Sequence, residues 1–220
     1  MKYFAHRGII NNEIENSKHA ILNTFTSNDY NGVEIDLRMT HDKKIILFHD
    51  ESTKRISNKN FKINDTQYSI LKKIELEDGS HLLSLQQFFN IYKKYKTKQV
   101  IFDVKDNNEY IISKILYYMD KHKINRKNII ILVWDKNFLI NNENNINKFY
   151  AVDGTTILSS EIKELAKNHY KGITVKFDNS KNNLKSINLI KKFKLNVGVY
   201  TLKEHLINAK NVGNIDGITF

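Results

Sequence analysis

His6 and Arg7 stand side by side where the apolar run KYFA ends. His49 closes another apolar run, IILFH. Between them, VEIDLRM sets Glu34 and Asp36 two residues apart, and further on IFDVK sets Asp103 and Lys105 at the same spacing. In an extended strand, side chains alternate between faces, so residues two apart point the same way. Taken singly, each residue has an ordinary reading. A Glu-x-Asp pair is commonly a solvated strand face, Lys105 pairs with Asp103, and Arg7 caps a helix. Gathered at the same ends of consecutive strands, they form a titratable cluster of the kind that marks a site. Three buried carboxylates are costly without a partner, and a cation among them removes the repulsion. Oxygen-only ligation points to Mg²⁺ or Ca²⁺, since zinc more often recruits histidine.

Those residues must be delivered by strands, and the chain alternates short apolar runs with amphipathic stretches. The runs are Tyr3–Ala5, Val33–Leu37, Gln99–Val104, Ile129–Trp134, Tyr150–Val152, Gly172–Phe177, Leu195–Tyr200 and Gly217–Phe220. Most are rich in β-branched or aromatic residues, which suit strands. Helical spacing of apolar residues recurs in Ser84–Tyr95, Glu109–Lys121, Ser160–Asn168, Asn183–Phe193 and Lys203–Asn211. Near-continuous apolar strands separated by helices predict a parallel sheet covered by helices. Eight such units predict an α/β (β/α)₈ TIM barrel, with an open doubly wound sheet as the alternative. The eighth strand is the last element of the sequence, so the barrel is expected to lack its final outer helix. An extra run, Lys44–Phe48, follows strand two, and a long polar segment then precedes the next helix. Residues 50–83 read as an insertion beside the face that carries the site, in a single domain spanning 1–220. That position suggests a part in choosing the substrate. Gly8, Gly32 and Gly79 read as turn residues. Trp134 and Asp135 end their strand and either line the pocket or pack.

The 220 residues carry a net charge of +11, but only four of the 35 basic residues are arginines, and proline and cysteine are absent. Arginine is the usual reader of bases, and the lysines are scattered among Asn and Ile, so no nucleic-acid partner is expected. No stretch approaches the ~18 apolar residues of a membrane helix. The first apolar run is interrupted at His6 and Arg7, which is not the pattern of a leader. A cytoplasmic, disulfide-free protein is expected.

The chain resembles the glycerophosphodiester phosphodiesterase family. The resemblance rests on AHRG with Glu15 and Asn16 following, and on GVEIDLRMTHDKKIILFHD. It continues through LLSLQQFF, IFDVK, VGVYT and IDGITF, and is densest over residues 3–50. It implies the same barrel, with His6 and His49 as a general acid/base pair. Glu34, Asp36 and Asp103 would hold one divalent cation, Mg²⁺ or Ca²⁺, and Arg7 and Lys105 would contact the phosphate. Tyr200 would offer its ring and hydroxyl to a headgroup. The implied substrate is a small glycerophosphodiester such as glycerophosphocholine or glycerophosphoethanolamine. Asp103 stands where the family usually has Glu, Tyr200 where Trp is common, and no tail follows the closing strand. A sphingomyelinase D-like enzyme cyclising lysophospholipids also uses Asp as third ligand. A catalytically silent barrel binding anionic partners is the non-enzymatic alternative.

Overall fold

The computed structural model describes residues 1–10, 12–106, 109–136, 146–200, 209–210 and 212–220. Nine strands form one sheet: β1 (Lys2–His6), β2 (Gly32–Met39), β3 (Ile45–Leu47), β4 (Gln99–Val104), β5 (Ile129–Val133), β6 (Asn147–Ala151), β7 (Gly172–Lys176), β8 (Asn196–Tyr200) and β9 (Gly217–Thr219). The order is β1-β9-β8-β7-β6-β5-β4-β2, and β2 pairs back onto β1, so eight parallel strands close into a barrel. The short β3 lies outside the ring. It pairs antiparallel with the far end of β2, Leu37 to Met39. The described helices are α1 (Lys18–Thr26), α2 (Tyr68–Leu71), α3 (Leu85–Tyr92), α4 (Glu109–His122), α5 (Ser159–Lys167) and α6 (Lys181–Lys192). The helix expected over Lys203–Asn211 lies mostly outside the described residues; Ala209 and Lys210 are helical. None of the described helices is long and apolar enough to cross a membrane.

The strand pattern divides the molecule into two environments. Outward-facing residues such as Val33, Ile35, Val100, Phe102, Ile131, Ile173, Val197 and Ile218 are fully buried under the helices. They form one core with Phe88, Phe89, Tyr92, Ile112, Ile115, Ile162 and Ile187 from the helix faces. Each such side chain contributes about 1.5–3 kcal/mol on burial. Helix α3 starts cleanly because Ser84 and Gln87 form a reciprocal capping box. Inward-facing positions carry Glu34, Asp36 and Asp103 on one side. Ile101, Ile130, Leu132, Phe149 and Ala151 form an apolar wall across the β4–β6 side.

Strand β6 begins three residues earlier than its apolar run suggests, because Asn147, Lys148 and Phe149 belong to it. Lys148 is buried, with its ammonium 4.0 Å from the centre of the Tyr170 ring. That ring face replaces water for the cation, so a buried lysine sits in the strand ahead of the apolar run. Gly32 is no turn residue either. It opens β2 in parallel register with Gln99, and a Cβ there would stand 2.0 Å from the Gln99 carbonyl oxygen. The obstacle is backbone on a central strand and cannot give way cheaply. Gly32→Ala is therefore expected to cost at least the ~1–3 kcal/mol typical of overpacking. Thermal unfolding should show a fall of about 2–4 °C for each kcal/mol.

The insertion builds a small core of its own. Ile46, Phe48, Ile56, Ile63, Leu71, Ile74, Leu76 and Leu82 pack together beside the barrel. It is stitched to the β1–α1 loop, where the Ile14 N–H donates to Asp78 Oδ2 at 2.8 Å.

Candidate active site

The barrel register assembles the site. His6 stands beside Glu34 across the β1–β2 pair, and Asp36 stands beside Asp103 across β2–β4. Glu34, Asp36 and Asp103 are all buried, with ligand oxygens within 4.8 Å of one another. Glu34 and Asp103 line a cavity of about 750 Å³ whose lining also includes His6, Arg7, His49, Lys105, Trp134 and Tyr200. Among the described residues, none from the insertion at 50–83 lines this cavity. The insertion braces the loop that carries Arg7, through Asp78 on Ile14 and Arg55 on Glu15.

Arg7 is held in a left-handed backbone conformation (φ 58°). That conformation costs an L side chain about 1–2 kcal/mol and clusters at functional sites. Here it turns the Arg7 N–H onto Glu34 Oε2 at 3.2 Å. The guanidinium then reaches Asp36 Oδ2 through Nε at 3.2 Å and donates to both Glu15 oxygens through Nη1 at 3.0 and 3.1 Å. Asn16, also left-handed (φ 57°), donates from Nδ2 to Asp36 Oδ2 at 2.9 Å and accepts the Asp36 N–H at 3.1 Å. Asparagine tolerates this conformation better than most residues. The pair Glu15-Asn16 thus fixes Arg7 and Asp36 respectively.

Lys105 fills the other side. Its ammonium lies 2.6 Å from Asp103 Oδ2 and 3.0 Å from Asp36 Oδ1. Trp134 donates its indole N–H to Asp103 Oδ1 at 2.7 Å, and Lys105 Nζ lies 5.4 Å from the ring centre. Trp134 is therefore part of the site and not only packing. Its position at the end of β5 was the available signal, but only the tertiary structure shows the hydrogen bond. Tyr200 lines the cavity with its ring while its hydroxyl donates to the Val152 carbonyl at 3.1 Å. That hydroxyl already has a structural partner.

Electrostatics divide the three acids. Burial, together with the charges of Asp36 and Asp103, pushes the Glu34 carboxyl well above its ordinary value. Burial and the neighbouring Asp36 also raise Asp103, against the opposing pull of Lys105. Burial alone would raise Asp36 as well, but Lys105, Arg7 and the Asn16 amide outweigh it and hold that carboxyl low. Lys105 would be weakened by burial, yet Asp36 and Asp103 keep it firmly charged. Asp36 Oδ1 is buried, with the Lys105 ammonium 3.0 Å away. Three buried carboxylates whose ligand oxygens lie within 4.8 Å of one another form an all-oxygen donor set that fits a hard divalent cation.

The histidines occupy different surroundings. His6 Nε2 lies 3.8 Å from Glu34 Oε2, and its side chain is half exposed at the mouth. Crowding by the protein and then the Arg7 charge push its imidazole below the ordinary value, so the ring is neutral at pH 7. His49 directs Nδ1 onto Asp50 Oδ1 at 2.7 Å. Its carbonyl accepts from Arg38 Nε at 2.7 Å, and Arg38 pairs with Asp106 at 3.1 Å. Asp50 and Arg38 are partners that the sequence pattern did not single out.

A model of the glycerophosphoryl diester phosphodiesterase family matches residues 6–219. The chain belongs to this family of phosphoric diester hydrolases. The chain is 24% identical to a glycerophosphodiester phosphodiesterase of known structure from Thermotoga maritima, with a TM-score of 0.80, covering 100% of this chain and 94% of that one. An Oleispira antarctica phosphodiesterase, solved with the product sn-glycerol-3-phosphate, superposes with a TM-score of 0.83 at 18% identity, covering 100% of this chain and 92% of that one. A Bacillus altitudinis glycerophosphodiester phosphodiesterase is 35% identical over 80 residues, or 36% of this chain. The chain spans about a third of the length of the curated relatives it matches, 36% and 31% for the first two. The TIM barrel expected from the strand count is the observed fold.

Proposed function

We propose that this family member is a metal-dependent glycerophosphodiester phosphodiesterase. Its substrates would be glycerophosphodiesters such as glycerophosphocholine, split to glycerol 3-phosphate and an alcohol. The observation that carries this reading is the meeting of two imidazoles, three buried carboxylates and two cations at one cavity mouth. Glu34, Asp36 and Asp103 would hold one Mg²⁺ or Ca²⁺, which when bound would offset negative charge on the phosphoryl oxygens. The side chains supply the rest. Arg7 and Lys105 place positive charge where a phosphate enters, and fixed charges act strongly in such a dry site. The neutral His6 ring is the form that accepts a proton, so we assign it as the base acting on the attacking hydroxyl. That hydroxyl is water or the substrate's own neighbouring group. His49 has Nδ1 held on Asp50, and Nε2 is the ring nitrogen that this contact leaves for chemistry. The Asp50 carboxylate orients the ring, and we assign His49 as the acid that protonates the leaving oxygen from Nε2.

The test is direct. Purified protein with millimolar Mg²⁺ or Ca²⁺ should release glycerol 3-phosphate and choline from glycerophosphocholine. Chelation should stop the release, and re-addition of metal should restore it. A full set of diesters left intact in the presence of either metal would refute this reading. The apolar wall of Ile101, Ile130, Leu132 and Phe149 favours a second reading, a lysophospholipid substrate. A mouse lysophospholipase D that is 28% identical over 124 residues is in keeping with it. Faster release of choline from lysophosphatidylcholine than from glycerophosphocholine would decide for that reading, and a cyclic phosphate product would mark the cyclising, sphingomyelinase D-like form of it.

A further inference from the structure

Arg55 ends a 3₁₀ turn, Thr53–Arg55, inside the insertion, and its side chain is 47% exposed outside the cavity lining. It nevertheless touches both halves of the site. Its Nε donates to Asp50 Oδ2 at 2.6 Å, while Asp50 Oδ1 holds His49 Nδ1. Its Nη1 donates to Glu15 Oε2 at 3.2 Å and its Nη2 to Glu15 Oε1. The same two Glu15 oxygens hold Arg7. The result is one chain of alternating charge, His49–Asp50–Arg55–Glu15–Arg7–Asp36, joining residues from four separate segments.

We infer that Arg55 is a positioning residue that ties His49, through Asp50, to the Glu15 clamp on Arg7, so that the proton-donating and phosphate-binding groups keep one geometry. This inference rests on the phosphodiesterase reading above. A carboxylate held at one oxygen only can swing about its Cβ–Cγ bond. Asp50 is held at both oxygens, by His49 on one and Arg55 on the other, which fixes its plane and hence the His49 ring. In the neutral ring, orientation by the carboxylate selects the tautomer with Nδ1 protonated; in the protonated ring Nδ1–H keeps the same partner and the transferable proton sits on Nε2. The guanidinium uses three nitrogens in a fixed plane, Nε on Asp50 and both terminal nitrogens on Glu15, and the single nitrogen of an ammonium on a flexible stem cannot reproduce that contact. An exposed ion pair alone adds little stability, so the role of Arg55 lies in alignment and not in holding the fold.

Two variants test it. Arg55→Met keeps the aliphatic stem, and Arg55→Lys keeps the charge. Both should lower kcat on glycerophosphocholine by roughly 10–100-fold, the usual effect of removing an orienting partner. The KM should change by much less, and the melting temperature by only about 2 °C, as for a surface change. In Arg55→Ala, added guanidinium should restore part of the lost kcat, and methylammonium should not. Nitrogen-15 spectra of labelled histidine, with the His49 signals assigned from their loss in His49→Gln, should show one tautomer in the native protein and a mixture in Arg55→Met. Unchanged kcat and an unchanged single tautomer in both variants would overturn the inference. So would full activity in Arg55→Lys, because charge alone would then suffice. If the native protein cleaves no diester, the functional reading fails, and the tautomer comparison still decides whether Arg55 positions His49.

Discussion

His49→Ala is expected to lower kcat on glycerophosphocholine by roughly 10²–10⁴-fold, the range for loss of a general acid or base, with the fold intact. The ring is held by Asp50 on Nδ1, and the backbone that carries it by Arg38 on its carbonyl. That leaves Nε2 as its reacting atom. Alanine removes this atom but leaves the barrel core untouched, because His49 follows β3 at the rim. His6→Ala should show a loss of the same order, and the two variants should differ in which substrate rescues them. An activated diester whose leaving group needs no proton should restore His49→Ala toward native turnover. It should leave His6→Ala impaired, because the attacking hydroxyl still needs a base. Steady-state kinetics with both substrates separate the roles. Rescue of His6→Ala instead of His49→Ala would reverse the assignment, and normal turnover in either variant would remove that residue from the mechanism.

Glu34→Gln should abolish metal-supported activity, a loss of roughly 10³-fold or more if the cation supplies several kcal/mol of charge stabilisation. Its effect on stability should be the opposite of what loss of a buried charge suggests. Without metal, Glu34 keeps its proton well above the ordinary range, because burial and two neighbouring carboxylates oppose its charge. The folded state then binds more protons than the unfolded chain. By linkage, the Glu34 contribution is fully present below the unfolded value, near pH 4.5, and is lost as pH rises toward the folded value. Glutamine copies the neutral form and does not titrate. In chelator, Glu34→Gln should therefore match or exceed the native melting temperature at pH 8. Added Mg²⁺ or Ca²⁺ should raise the native melting temperature but not that of the variant, since a ligand that binds only the folded state stabilises it. A native-like metal-induced rise in Glu34→Gln would exclude Glu34 as a ligand.

The sequence by itself determined which residues face the site. Strand periodicity is a two-way choice, inside or outside, and a one-residue error would send every side chain to the wrong face. Glu34, Asp36, Asp103 and Lys105 were legible for that reason, as were His6 and His49 at the ends of apolar runs. The strand count was legible because helix and strand periods differ. Strand β6 was misjudged at its start because Lys148 is paid for by a ring contact with Tyr170, which lies 22 residues on and leaves no periodic trace.

Only the tertiary structure decided the partners. Glu15 meets Arg55 forty residues away, Asn16 meets Asp36 across twenty, and Trp134 meets Asp103 across thirty-one. Likewise, only the chain path showed that the insertion braces the β1–α1 loop through Arg55 and Asp78 and leaves the cavity lining to others. Side-chain direction along a strand is set locally, by backbone geometry that neighbouring residues impose. Which oxygen accepts from which nitrogen is set by where loops bring distant segments together, and no local pattern encodes that.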